Sequence, residues 1–169
     1  SLKDLFGSDK VLTDSDSLQQ FGTDWTKTHQ ADPLASVFPE STEQVQSLVK
    51  LANQKEFALV PSGGRTGLSG GAVADNQEVV VAFDRMNKIL DFNPLDRSVI
   101  CQAGVITATL QELAAENDLF YPVDFASSGS SQIGGNIATN AGGIKVVGYG
   151  LTRNWVLGLT VVTGNGDVL

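Results

Sequence analysis

Glycine placement constrains this chain more than any other feature. Ten of its 18 glycines fall in two short stretches, five in residues 62–71 (SGGRTGLSGG) and five in residues 129–143 (GSSQIGGNIATNAGG). Glycine tolerates positive φ and lets the backbone come close to a ligand, so successive amide N–H groups can converge on an anion. The first stretch directly follows the apolar run Phe57-Ala58-Leu59-Val60 and Pro61, where a strand would leave a sheet. One such loop alone reads as a plain turn. Two of them, far apart and each beside apolar segments, favour a ligand site with phosphate or pyrophosphate as the guest.

Charge sharpens that reading. With 11 Lys and Arg against 19 Asp and Glu, the net charge of −8 repels phosphate at long range. Binding then has to come from short-range backbone dipoles. Within residues 61–71 the only charged side chain is Arg65. The ATP-type loop requires a lysine after its last glycine, and neither cluster has one. The dinucleotide G-x-G-x-x-G also fails, because Gly148-Tyr149-Gly150 continues as Leu151-Thr152-Arg153 and Gly164-Asn165-Gly166 reaches the end of the sequence. The second cluster carries Ser127, Ser128, Ser130, Ser131, Asn136, Thr139 and Asn140, a lining suited to a large polar ligand with a flat ring system.

Several function classes drop out. The scattered cations of an acidic chain do not make a nucleic-acid surface, and no apolar run is long enough to span a bilayer. The single cysteine, Cys101, rules out an intrachain disulfide and a Cys-rich zinc or iron–sulfur site. It reads as a small buried strand residue in a reducing, cytoplasmic setting. The lone histidine, His29, sits in Thr26-Lys27-Thr28-His29-Gln30 without ligand or triad spacing, so we expect an exposed loop residue and no metal site.

Along the chain, residues 1–30 are polar and weakly periodic, with a short helix suggested at 14–21, and are expected at the periphery. Residues 35–38 read as extended. Ser41-Thr42-Glu43-Gln44 opens a helix as a capping box, with Val45, Leu48, Val49 and Ala52 on its inner face. Residues 57–60 predict a buried strand, completing a strand–helix–strand unit. Strands are predicted at 79–83, 88–92 and 98–102, and a helix capped by Thr107 runs to about 116 with Leu110, Leu113 and Ala114 facing inward. Residues 155–162 and 167–169 predict two strands joined by the hairpin Thr163-Gly164-Asn165-Gly166. The sequence stops inside the second of these, which suggests a domain truncated at its C-terminus.

On these residues a family resemblance becomes specific. The segment from Pro61 to Gly71 resembles the pyrophosphate loop of the vanillyl-alcohol oxidase/p-cresol methylhydroxylase (PCMH-type) flavoproteins. Tyr121-Pro122-Val123-Asp124 with the run from Ser131 to Gly143 resembles their second FAD-binding segment. Tyr149-Gly150, Val156-Leu157-Gly158-Leu159 and Gly164-Asn165-Gly166 continue the match, which covers about residues 24–169. The I-G-G-N-x-A-T-N-A-G-G form is most similar to the D-lactate, glycolate and D-2-hydroxyglutarate dehydrogenase branch.

That resemblance implies an α+β, non-Rossmann FAD-binding domain of two lobes with FAD between them, a first lobe over 31–95 and an incomplete second lobe over 96–169. Ser62, Gly63, Gly64, Arg65, Thr66, Gly67 and Ser69 would wrap the pyrophosphate. Pro122, Gly129, Ser131, Gly134, Gly135, Asn136, Thr139, Ala141 and Gly143 would line the path from adenosine to flavin. Relatives that tether FAD from the first loop have histidine after Gly-Gly, whereas this chain has Arg65, so noncovalent FAD is expected. The implied activity is hydride transfer from a D-2-hydroxy acid to FAD, with the small-molecule substrate held by a further domain and no catalytic residue identified in these 169. An oxidase of alcohols or sugars from the same family and a non-redox nucleotide- or anion-binding module are the competing readings. An unpaired edge at 155–162 would also let the 169-residue piece self-associate.

Overall fold

A computed structural model of the chain describes residues 1–26 and 28–169. The chain divides into two compact units, Ser1–Arg85 with Gly158–Leu169, and Met86–Leu157. The sequence suggests a division nearer residue 95.

The first unit contains helix α1 (Leu2–Phe6), strand β1 (Val11–Leu12) and helix α2 (Ser15–Phe21). Strand β2 (Ala35–Val37), helix α3 (Thr42–Lys55), strand β3 (Leu59–Ser62) and strand β4 (Val79–Ala82) follow. The sheet order is β1-β2-β4-β3, with β2, β4 and β3 parallel and β1 antiparallel at one edge. Parallel strands need a crossover, and α3 supplies it between β2 and β3, leaving the middle position to β4. Val79, Val80, Val81 and Ala82 are accordingly all buried, as a strand covered on both faces requires.

This corrects the reading of residues 57–60 as the buried strand. The strand there starts at Leu59, forms the sheet's other edge, and is only partly covered. Pro61 is exposed in it, which an edge permits because no neighbour needs its missing N–H.

Capping fixes where α3 begins. Ser41 Oγ accepts from the Gln44 amide at 3.3 Å, and Gln44 Oε1 accepts from the Glu40 amide at 2.8 Å, so the capping box closes one residue before the cap itself. Leu48 and Ala52 face the sheet, and Leu48 joins Phe6, Val11, Val37, Val79 and Val81 in one buried cluster. The opening residues, expected at the periphery, thus contribute two side chains to this core.

The hairpin around Gly164 and Gly166 forms, with Val161 and Leu169 exchanging backbone hydrogen bonds of 3.0 and 2.9 Å. Its turn carbonyls lie on α3, where Asn53 donates to Gly164 at 2.8 Å and Gln46 to Gly166 at 2.7 Å. The strand predicted at 155–162 does not form. Trp155 ends a 3-10 turn, and among the described residues no strand lies alongside 156–160. An apolar run makes a strand only where a neighbour takes up its backbone groups, and the sheet edge expected at 155–162 is not formed.

The second unit opens with the antiparallel pair β5 (Ile89–Asn93) and β6 (Ser98–Cys101). Asn93 Oδ1 accepts from the amides of Leu95 and Asp96 at 3.0 and 3.1 Å and closes the turn. Helices α4 (Thr107–Glu116), α5 (Ile133–Thr139) and α6 (Val146–Tyr149) complete it. Val105, Leu110 and Ile133 form its buried cluster, with Ile89, Val99, Cys101 and Tyr121 packed against them. Cys101 is half-buried on β6, and that burial pushes its thiol pKa up. Thr107 does not cap α4 as predicted. Ile106 holds the cap position and the Thr107 hydroxyl turns elsewhere. The whole is an α+β structure, and no helix of the described residues is long and apolar enough to cross a membrane.

Leu48 is fully buried between α3 and the sheet. Leu48→Ala should therefore cost about 2–5 kcal/mol. Urea unfolding checks it: the midpoint should fall with the slope unchanged.

Candidate cofactor site: two glycine-rich loops

Ser62 ends β3 fully buried, its Oγ donating to the Phe21 carbonyl at 3.3 Å. The chain then turns into the first glycine loop, half-buried over 63–66 and exposed over 67–69. Arg65 sits there at φ 57°, a left-handed conformation that costs an ordinary residue about 1–2 kcal/mol. Its guanidinium compensates, donating to the Gly63 carbonyl at 2.7 Å and to both Asp84 oxygens at 2.8 and 3.1 Å. It also lies 4.8 Å over the Phe21 ring. The one cation of residues 61–71 is thus paired inside the unit.

The loop's donors are its amides. Among the described residues no protein group accepts from the N–H of Gly64, Thr66, Gly67 or Ser69. A Cβ built on Gly67 or Gly71 meets no atom within 4 Å, and neither residue has positive φ. The packing of the described residues therefore does not account for glycine at these two positions, and their open backbone leaves room for close approach.

The second glycine segment is more heavily engaged by its own unit. Asp124 pairs with Gly143 as a parallel bridge, and its carbonyl accepts from the Ile144 amide at 2.9 Å. Its carboxylate lies 3.0 Å from Lys145 Nζ, and this partner, with the Ser128 hydroxyl, holds the carboxyl below the usual carboxylate range. Gly143 has φ 76° and no room for a Cβ against the Asp124 carbonyl. A Cβ on Gly134 would lie 2.7 Å from that of Ala103. Gly129 and Gly135, by contrast, are exposed and would meet nothing within 4 Å.

The polar side chains of this segment also divide. Ser131 and Asn136 are buried, with Thr107 Oγ1 at 2.7 Å from Ser131 Oγ and accepting from Asn136 Nδ2 at 2.7 Å. Their side chains thus join α5 to α4. The Thr139 hydroxyl donates to the Gly135 carbonyl at 2.9 Å, and the Ala141 carbonyl accepts from Thr152 Oγ1 at 2.6 Å. Pro122 is fully buried. Beside it, burial pushes the Tyr121 phenol up to about 12, with the Cys101 charge adding to it. Gln132, at the cap position of α5, has a buried Oε1 with no hydrogen-bond partner. Sequence reading passed over it, because only the fold shows the group enclosed. His29 is exposed, as expected, with Nδ1 3.5 Å from an Asp75 oxygen, while its neighbour Lys27 lies outside the described residues.

Comparison with known proteins decides what this arrangement serves. A family model described as an FAD binding domain matches residues 33–169. The chain belongs to that family. It is 64% identical over 168 residues to a D-2-hydroxyglutarate dehydrogenase of Stutzerimonas stutzeri (strain A1501), covering 99% of this chain and 36% of the relative. It is 54% identical over 160 residues to another of that name from Xanthomonas citri pv. viticola, covering 95% and 34%. The chain thus spans about a third of the length of the curated relatives it matches. Among solved structures, p-cresol methylhydroxylase with substrate bound matches with a TM-score of 0.79 and 26% identity, over 99% of this chain and 33% of that one.

The PCMH-type FAD-binding fold implied by the sequence is borne out, and FAD is the cofactor of the domain. The residues present fit it. Unengaged amides on a glycine loop suit a pyrophosphate in an acidic chain, and the orphaned Gln132 acceptor suits a donor from a ligand.

Thr107→Val removes the hydroxyl shared by Ser131 and Asn136 while keeping its shape. Leaving those two buried groups short of a partner should cost about 1–3 kcal/mol, read as a lowered melting temperature.

Proposed function

We propose that this chain is the FAD-binding part of a dehydrogenase that oxidises a D-2-hydroxy acid, with D-2-hydroxyglutarate as the first substrate to test. The observation that carries it is an open amide loop of pyrophosphate-binding form in a chain 64% identical to a protein bearing that activity's name. Bound FAD would supply the hydride acceptor. The chain's own residues would bind and orient it.

In this reading the amides and hydroxyls of the loop Gly63, Gly64, Arg65, Thr66, Gly67 and Ser69 hold the pyrophosphate, with the buried Ser62 supporting the loop from beneath through its bond to Phe21 and the Arg65 side chain fixing it through Asp84. Pro122, Gly129, Gly135, Thr139 and Ala141 line the remaining cofactor path by backbone and small side chains. Ser131, Gly134, Asn136 and Gly143 contribute there mainly by shaping the segment, which their inward contacts favour. FAD is held noncovalently, since Arg65 occupies the position of the tethering histidine and its guanidinium is committed to Asp84. A cytoplasmic setting belongs to the same proposal, supported by the unpaired Cys101.

Three measurements on the full-length protein test the reading. Flavin absorbance bands should bleach anaerobically with D-2-hydroxyglutarate or another D-2-hydroxy acid; bleaching by alcohols or sugars alone would favour the oxidase reading. Acid precipitation should leave all flavin in the supernatant, and a yellow pellet would contradict noncovalent binding. Gly64→Val should abolish FAD retention with the far-ultraviolet circular dichroism preserved, because a branched side chain blocks close approach to the loop. Unchanged flavin content would overturn the loop assignment.

A further inference from the structure

The first glycine loop has a backing strip. The Phe21 carbonyl accepts from Ser62 Oγ at the loop's start, and the Phe21 ring lies under the Arg65 guanidinium. The Trp25 amide donates to the Gly67 carbonyl at 3.3 Å. Asp24 Oδ2 accepts from the Gly70 amide at 2.9 Å, and the Gly22 carbonyl accepts from the Ala74 amide at 3.0 Å just beyond the loop. One short segment, residues 21–26, thus touches the loop from entry to exit. It lies before residue 33, where the family match begins.

Asp24 is the distinctive member of this strip. It is 4% exposed, and a buried carboxylate is weak support for stability even when well bonded. Its Oδ1 accepts from the Thr26 amide at 2.9 Å and the Thr26 hydroxyl at 2.6 Å, which orient the carboxylate. The other oxygen reaches 46 residues along the chain to a glycine held at φ 77°. A charge-assisted bond of this kind fixes geometry as well as energy. Gly70 is the end of the loop opposite to Arg65, whose own pairing with Asp84 pins the beginning. Between these two carboxylate anchors lie the amides of Thr66, Gly67 and Ser69.

We propose that residues 21–26 are a positioning element for the pyrophosphate loop and that Asp24 is its positioning residue, holding the loop in its binding shape through the Gly70 amide. The inference rests on the FAD reading of that loop. Asp24 touches no phosphate. It lowers the ordering that binding would otherwise require, because a loop already in the bound shape loses less conformational freedom.

The test uses the full-length protein, freed of flavin and retitrated with FAD by fluorescence quenching, together with hydrogen exchange of the flavin-free form. Asp24→Asn should raise the FAD Kd about tenfold or more, the scale set by losing one charge-assisted contact. Amide exchange should quicken in peptides covering 63–71 while peptides of β4 and α3 keep their protection. Thr26→Val, which removes one of the bonds orienting the carboxylate, should move both readouts the same way by about threefold, and it decides the matter if Asp24→Asn does not fold. An FAD Kd within twofold of the parent for the variants that fold overturns the proposal. So does exchange that quickens equally in β4, since that marks a general loss of stability. If the parent protein itself fails to bind FAD, the loop assignment falls and this inference falls with it.

Discussion

An acidic chain that holds a diphosphate must do it with backbone dipoles, and backbone dipoles work only when they are aimed. The chain carries a net charge of −8, and the only cation in its first glycine loop is already bonded to Asp84. What remains is the direction of a few amides on a loop made of the most flexible residue. Ordering such a loop costs on the order of 1–2 kcal/mol per residue, so the fold has to carry that cost in advance. β3 delivers the loop from a sheet edge, Ser62 is buried beneath it, and carboxylates tie both ends. The same acidity that repels phosphate at a distance thus supplies the anchors that shape the loop.

Sheet order sets where that loop stands. β4 takes the buried middle position with four consecutive covered residues, and β3 takes an edge. The edge makes the missing N–H of Pro61 harmless and lets the residues after Ser62 turn away without leaving β4 unpaired. Asp84, two residues beyond β4, is brought beside Arg65 by the parallel register that sets Ser62 opposite Ala82. The Arg65–Asp84 pair is therefore a consequence of strand order, and its carboxylate follows directly from the buried middle strand β4.

Much of this was legible in the sequence where cause and effect are close together. The two glycine clusters, the α3 cap, the range of α4 and the Thr163-Gly164-Asn165-Gly166 turn are local signals, and each appears in the structure. The failures share the opposite property. Asp24 and Gly70 are 46 residues apart and Arg65 and Asp84 are 19 apart, so no local pattern marks either pair. Residues 155–162 are a mostly apolar run that reads as a strand, but strand formation depends on a partner and the described residues offer none along 156–160. Ser131 and Asn136 read as ligand-lining residues because a short polar side chain beside a glycine loop looks the same in sequence whichever way it faces. Only Thr107, from another helix, shows that both turn inward.

The glycines themselves carry the last step, because the structure separates two reasons for their presence. In α5, Gly134 has no room for a Cβ against Ala103, so its packing demands it. The next residue, Gly135, is exposed, lies inside the same helix and would meet nothing with a Cβ. Glycine inside a helix forfeits about 0.8–1 kcal/mol relative to alanine, and among the described residues no close contact at Gly135 offsets it. Gly67, Gly71 and Gly129 are alike in that neither crowding nor positive φ requires them. At these positions the backbone is open to whatever lies against the chain. Gly148, Gly158 and Gly164 meet nothing either, so an unexplained glycine marks open backbone, and only its place in the two glycine clusters ties it to the proposed cofactor contact.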